Sequence, residues 1–300
     1  MGRNMEFLQN ESSIIIQNLK DFNIGEILEC GQCFRFERLE PELGLNYRLI
    51  AFDRLLYIRQ IDSTVQFSYK GRPLDMDEFN AIWRGYFDLD RDYAAIKSKI
   101  SSKDAVVRQA VEYAKGIRML RQDPWEMLIS FIISANNRIP QIKQVLRNIC
   151  REYGKELADG GINYYGFPTT KELLAATPAD LRRHKAGFRD KYIVAATQMV
   201  ASGQLDINTH TKMPTSQLKK ALLAVPGVGE KVAHCIMLFG YGRFDSFPID
   251  TWVRKIMQEM YFNGQKVSAA QIQAFAHERF GGLSGFANQY LFHYIRTNGQ

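Results

Sequence analysis

Leu223-Ala224-Val225-Pro226-Gly227-Val228-Gly229-Glu230-Lys231-Val232-Ala233, followed by Pro248-Ile249-Asp250, decides the reading of this chain. An apolar helix end runs into a turn with glycine at two alternate positions, and a second helix starts at once. Gly227 and Gly229 permit backbone angles closed to other residues and let a phosphate approach the bare N–H groups of the turn. The positive end of the following helix dipole favours the same anion. Lys231 falls in that helix's first turn, where the dipole and partial burial disfavour its charged form. A lysine that spends time neutral is a nucleophile. Asp250 stands at the predicted start of the next helix, far enough along for the chain to return a carboxylate to the amine. A bare Gly-x-Gly turn is common in structural helix pairs that carry a surface lysine. The ordered set of turn, lysine and distal Pro-x-Asp is far more specific.

The 300 residues leave room for one large domain or two to three ordinary ones, each with an ample core. Hydrophobic content of 46% and charged content of 24% describe an ordinary soluble protein. The formal net charge of +7 suits a polyanionic partner, of which nucleic acid is the commonest. Met1 to Glu6 contain no apolar signal core, and Met127 to Ile133 is too short an apolar run to span a bilayer. The reading is of an intracellular protein with no membrane partner. Cys30, Cys33, Cys150 and Cys235 are too few for a disulfide scaffold in so long a chain. Cys30-Gly31-Gln32-Cys33 has the spacing of half a metal site, but its surroundings read as a strand and no second ligand pair accompanies it. No metal and no cofactor are expected.

The fold class is α+β. Leu45 to Ala51, Leu55 to Gln60 and Val65 to Tyr69 are short and rich in β-branched and aromatic residues, with Asp53 and Asp62-Ser63 as turns between them. Gly31 to Glu37 reads as a further strand, and Met76 to Tyr86 as a helix closing the antiparallel unit. From about Ser101 the pattern turns helical. Asp123-Pro124 and Thr177-Pro178 are N-cap and first-turn pairs, Thr215 and Ser268 are caps, and Gly154 and Gly203 are stops. We therefore expect a β-rich unit over 1–100 and a helical unit over 101–300, with the hairpin near 218–240 and the site beside it.

The turn, lysine and Pro-x-Asp set resembles the helix-hairpin-helix DNA glycosylases. Six further strings resemble the 8-oxoguanine DNA glycosylases in particular: Gly31-Gln32-Cys33-Phe34-Arg35-Phe36, Leu120-Arg121-Gln122-Asp123-Pro124, Ser134-Ala135-Asn136-Asn137, Gly166-Phe167-Pro168, Gly187-Phe188-Arg189 and Gly285-Phe286-Ala287-Asn288-Gln289-Tyr290-Leu291-Phe292. They fall in the family's order across nearly the whole chain. The iron–sulfur relatives carry four cysteines near the C-terminus, which this chain lacks.

The resemblance implies a bifunctional DNA glycosylase/AP lyase acting as a monomer on double-stranded DNA containing 8-oxoguanine. Lys231 and Asp250 are then catalytic. The carbonyl of Gly31 accepts from the N7 hydrogen that 8-oxoguanine has and guanine lacks, a difference of roughly 1–3 kcal/mol once a buried mismatch is counted. Cys235, one helical turn after Lys231, and Phe292 sandwich the extruded base. Asn288 matches a position held elsewhere by Gln, so either it or Gln289 reads the pairing edge. On the DNA side, Asn136 fills the vacated space, Phe188 is the wedge, and Gly227 and Gly229 face the backbone. Arg189 touches either the orphaned partner base or a phosphate. Gln141 falls where a second orphan-reading arginine stands in other members, and Trp252 where eukaryotic members have histidine. The rival readings are a glycosylase of this fold for another damaged base, and a non-catalytic helix-hairpin-helix DNA-binding protein.

Overall fold

A computed structural model describes residues 5–40, 43–102 and 104–298. Strands β1 (Glu6–Gln9) and β2 (Ser13–Gln17) lead into helix α1 (Ile24–Glu29). Strands β3 (Phe36–Arg38), β4 (Leu45–Ala51), β5 (Arg54–Ile61) and β6 (Thr64–Ser68) follow. Together they form one antiparallel sheet in the order β1-β2-β6-β5-β4-β3. The β4–β5 turn needs two residues in the left-handed region, and Phe52 (φ 50°) and Asp53 (φ 58°) supply them, as a tight hairpin requires. Between β5 and β6 Asp62 (φ 50°) alone takes that conformation.

A helical stretch covers one face of the sheet: α2 (Met76–Glu78), a π-turn over Phe79–Trp83, and α3 (Arg84–Tyr86). Phe79, Trp83, Phe67 and Phe87 are fully buried and carry this first core with Tyr47 and Ile58. The second core begins at Tyr93 in α4 (Tyr93–Ser101) and continues through α5 (Ala105–Tyr113), α6 (Pro124–Ser134) and α7 (Ile139–Tyr153). The changeover thus falls between Leu89 and Tyr93, ahead of the composition shift at Ser101. Cys30 and Phe34 cross over to pack in the second core, and Leu120 packs in the first.

Asp123 caps α6 by accepting from the Glu126 N–H at 2.8 Å, with Pro124 in the first turn. A hairpin absent from the sequence reading, β7 (Glu156–Asp159) with β8 (Ile162–Tyr165), follows α7. Its signal was Gly160-Gly161, both with positive φ (54° and 79°) between two very short strands. Then come α8 (Thr170–Leu173), α9 (Pro178–Arg183), α10 (Asp190–Ala201), α11 (Thr215–Leu223), α12 (Glu230–Tyr241), α13 (Thr251–Tyr261), α14 (Ala269–Phe280) and α15 (Ser284–Asn298). Thr177 and Ser268 are caps as read, each in a reciprocal capping box. Thr215 is not. Pro214 occupies the cap position, its carbonyl accepts from Leu218 N–H at 3.0 Å, and Thr215 is already the first helical residue.

The predicted strand over Gly31 to Glu37 shrinks to Phe36–Arg38, because the groups at its start are spoken for elsewhere. The fully buried Gln32 side chain donates to the carbonyls of Ile27 and Arg118, both at 2.8 Å, and accepts from Leu120 N–H at 2.9 Å. Its own carbonyl accepts from Gln122 at 2.7 Å. A loop pinned on both flanks by side chains has no ladder to join. Among the described residues no helix is long and apolar enough to cross a membrane.

Candidate active site and nucleic-acid interface

Helices α11 and α12 are joined by Ala224 to Gly229, so the hairpin forms where it was read. Its two glycines serve different ends. Gly227 has φ 84°, and a Cβ there would lie 2.5 Å from the Tyr192 ring, so both conformation and packing require glycine. Gly229 has an ordinary φ of −92°, which corrects the expectation that both positions are conformationally special. A Cβ at Gly229 would meet nothing within 4 Å. It is the N-cap of α12 with no side chain bonding the first-turn amides, so those N–H groups stay open to an anion.

Lys231, in the first turn of α12, reaches inward. Its Nζ donates to Ser134 Oγ at 3.4 Å and lies 5.4 Å from the centroid of the Phe131 ring. Ser134 Oγ in turn donates to the Phe131 carbonyl at 2.8 Å, which turns a lone pair toward the amine. Asp250 is the N-cap of α13 and accepts from Val253 N–H at 2.8 Å, which fixes its carboxylate at the cleft. Burial pushes its pKa above the ordinary carboxylate value, while the Val253 N–H and the Lys231 charge pull the other way.

Lys231 and Asp250 share a narrow cleft with Gly31, Cys235, Asn288, Gln289 and Phe292. Cys235 is 4% exposed, and burial raises its thiol pKa, so it presents a neutral, polarisable face. Gly31 has φ 82°, and a Cβ there would sit 3.0 Å from the Phe292 ring, so the aromatic edge lies directly against this loop. The cleft holds only about 40 Å³. Ligand pockets ordinarily measure roughly 300–1,000 Å³, so a base enters only as Phe292 and the Gly31 loop part.

The two amides of α15 have separate duties. Asn288 donates to the Pro248 carbonyl at 2.8 Å, bracing the irregular segment that delivers Asp250. Gln289 donates to the Cys30 carbonyl at 2.7 Å, immediately before Gly31. Both are almost wholly buried, so each holds one wall of the cleft in place. Ser134 and Gln32 stand in the family-like strings, and the sequence alone assigns them no role. Their signal is a small or amide side chain set among apolar neighbours, which is costly unless hydrogen-bonded.

The remaining sequence candidates lie outside the cleft. Phe188 is 55% exposed, unusual for so large an apolar ring, and it leans edge-on against Tyr192, the residue packed on Gly227. Asn136 is exposed in the left-handed region (φ 50°), just beyond the end of α6. Arg189 is 7% exposed and clips this loop. It donates to the carbonyls of Ala135 (2.6 and 2.8 Å), Asn136 (2.7 Å) and Ala186 (3.2 Å). Its guanidinium thus ties the Asn136 loop to the Phe188 turn, a role that neither sequence reading contained. Gln141 sits partly exposed in the first turn of α7.

An N-terminal antiparallel sheet, a helix-hairpin-helix, and a lysine–aspartate cleft that borrows a glycine loop from the sheet unit define a base-excision DNA glycosylase. Residues 14–128 match the family model "8-oxoguanine DNA glycosylase, N-terminal domain", and residues 129–281 match "HhH-GPD superfamily base excision DNA repair protein". The chain belongs to the 8-oxoguanine DNA glycosylases of the HhH-GPD superfamily. The N-glycosylase/DNA lyase of Saccharomyces cerevisiae is 34% identical over 265 residues, 81% of this chain and 69% of that one. The 8-oxoguanine glycosylase/lyase of Clostridium acetobutylicum, solved with double-stranded DNA containing cytosine opposite 8-oxoG, is 40% identical with a TM-score of 0.93, covering 100% of both chains. A 3-methyladenine DNA glycosylase from Archaeoglobus fulgidus shares the fold at 19% identity and a TM-score of 0.72.

Proposed function

We propose that this enzyme excises 8-oxoguanine from duplex DNA with Lys231 as nucleophile and then cleaves the strand at the resulting site. One observation carries the reading: residues as distant in sequence as Gly31, Lys231, Asp250 and Phe292 line a single cleft. The nucleotide leaves the stack at a cost of a few kcal/mol. The Lys231 lone pair attacks C1′ while the N-glycosidic bond breaks and its electron pair leaves with the base. Opening of the sugar gives an imine, loss of a C2′ proton follows, and the C3′–O bond breaks by β-elimination. Asp250 stabilises the positive charge that develops on the sugar. Gly31 tells the oxidised base from guanine through its carbonyl, and Cys235 and Phe292 stack on the base. The product chemistry is the first stage of base excision repair, and the enzyme works inside the cell on chromosomal DNA, as a monomer.

The direct test is a duplex with a single 8-oxoguanine beside one carrying a pre-formed abasic site. Strand cleavage is expected on both, and a chain that cleaves only the abasic duplex lacks the proposed base recognition. Phe292→Ala sharpens the comparison. It removes a stacking face worth roughly 1–3 kcal/mol per base, or about 5- to 150-fold in rate. The loss should appear on the lesion duplex and be small on the abasic duplex, which has no base to stack. Equal losses would make Phe292 a structural residue only.

The opposite base follows from Gln141. Arg189 is engaged by three backbone carbonyls, and Gln141 offers a neutral amide that donates or accepts according to its flip. Such a group discriminates less than a fixed donor fork does. Excision rates opposite all four bases are expected to show a shallow preference for cytosine, steepened by roughly tenfold or more in Gln141→Arg. A strong native preference for cytosine would remove Gln141 from orphan-base reading.

A further inference from the structure

A second cavity, about 440 Å³, opens between the β3–β4 side of the sheet, helix α7 and the β7–β8 hairpin. It shares no lining residue with the catalytic cleft. Lys143, Arg147 and Arg151 line it and recur every fourth residue along α7, so three cations stand in a row on one helix face. Like charges so spaced are mutually destabilising. Among the described residues none of the three has a carboxylate in ion-pair contact. Lys143 Nζ lies 3.5 Å from the centroid of the Phe36 ring, and burial holds its pKa below the ordinary lysine value.

Of the carboxylates on the walls, Glu37 pairs with Arg48 at 2.5 Å, and Glu156 accepts from the neutral donors Asn163 at 3.2 Å and Tyr165 at 3.4 Å, keeping one negative charge against the three cations of α7. Arg35, at the floor, pairs with Glu126 at 3.3 Å and donates to the Tyr165 carbonyl. Positive charge is therefore left over on one wall, and the opposite walls are aromatic and aliphatic. Lys143 looks away from the proposed DNA side, about 200° around the helix from Gln141, and the stripe then winds on until Arg151 stands about 80° from Gln141.

We propose that this cavity binds a phosphorylated planar ring of the nucleoside monophosphate class, with Lys143, Arg147 and Arg151 meeting the phosphate. The ring lodges against the wall formed by Tyr164 and Tyr165, clear of the Phe36 face that Lys143 covers. The volume lies within the range of small-molecule sites, and guanidinium forks match phosphate oxygens in pairs.

Calorimetric titration of the full chain with dAMP tests this. The expected result is saturable 1:1 binding, weakened by roughly tenfold or more in the Arg147→Ala/Arg151→Ala double variant. Inorganic phosphate and deoxyadenosine, each offering half of the contacts, should bind roughly tenfold or more weakly than dAMP. The double variant should still cleave the lesion duplex at the native rate, because these arginines stand outside the catalytic cleft. The proposal is overturned by any of four results. These are no saturation below about 10 mM dAMP, undiminished binding in the double variant, phosphate binding as tightly as dAMP, or dAMP binding abolished by Phe292→Ala, which would move it to the catalytic cleft. A double variant with weakened duplex cleavage and a shallower salt dependence would also overturn it, as the stripe would then be a track for the DNA backbone.

Discussion

Lys231→Gln is expected to abolish covalent trapping of the enzyme on 8-oxoguanine DNA by borohydride and to lower strand cleavage on the order of 10⁴-fold or more, the scale on which nucleophiles are missed. Only reduction of an imine leaves the enzyme covalently joined to DNA, so the trapped species reports the bond between Nζ and C1′. Glutamine is one bond shorter than lysine but stays unbranched and polar, and its amide can still turn a donor toward Ser134 Oγ, which the lysine meets at 3.4 Å. Lys231 is only partly buried, so little core packing is disturbed. Duplex binding should persist, because the open α12 amides and Gly227 belong to the backbone rather than to this side chain. Undiminished trapping in the variant would assign the chemistry to another amine.

Asp250→Asn is expected to slow base release by roughly 10²- to 10³-fold, the usual loss when a preorganised electrostatic partner of the transition state is removed. The amide oxygen can still accept from Val253 N–H, so the α13 cap and the fold should survive. A pH signature separates charge from shape. Burial raises the Asp250 pKa, so in the folded enzyme the carboxylate takes up its proton at a higher pH than a free aspartate, whose ordinary value is 3.8. Its negative charge is present above that raised value and lost as pH falls through it. The native rate should therefore fall on an acidic limb displaced upward from the ordinary aspartate range, and Asp250→Asn should flatten that limb. Normal turnover in the variant, or an unchanged limb, would take Asp250 out of the chemistry. The same shift has a stability side. An acid with a raised folded pKa disfavours the native state once ionised, so Asp250→Asn should be neutral to mildly stabilising at neutral pH in thermal unfolding.

Much of the architecture was legible because local signals and burial agree. The β4, β5 and β6 strands announce themselves through β-branched residues between tight-turn aspartates, and the Asp123-Pro124, Thr177-Pro178 and Ser268 starts through cap chemistry that acts within one turn. Where the reading failed, a distant partner had overruled a local preference. Gly31 to Cys33 looks extended, yet Gln32 binds carbonyls contributed by Ile27 and Arg118. Thr215 has the side chain of a cap, but Pro214 immediately before it already begins the turn. The four-residue β1, β7 and β8 strands are too short to carry a periodicity of their own and exist by pairing, and the Ile14-Ile15-Ile16 run of β2 shows no alternation and is placed by its pairing with β6.

The same division runs through the site. Lysine after a Gly-x-Gly turn and aspartate after a proline are local patterns, so their elements and their approximate chemistry follow from the order of residues along the chain. Three features do not: the meeting of Gly31 with Phe292, the anchoring of Gln289 on Cys30, and the closure of the cleft to about 40 Å³. The capture of the Arg189 guanidinium by the Ala135 and Asn136 carbonyls is of the same kind. Each joins groups far apart in sequence whose local environments contain no trace of the partner. A hydrogen bond or a van der Waals contact acts only over a few ångströms, so it is decided when packing brings the two groups together. The sequence by itself determined which residues are the candidates for the chemistry, and the tertiary structure alone decided how they face one another.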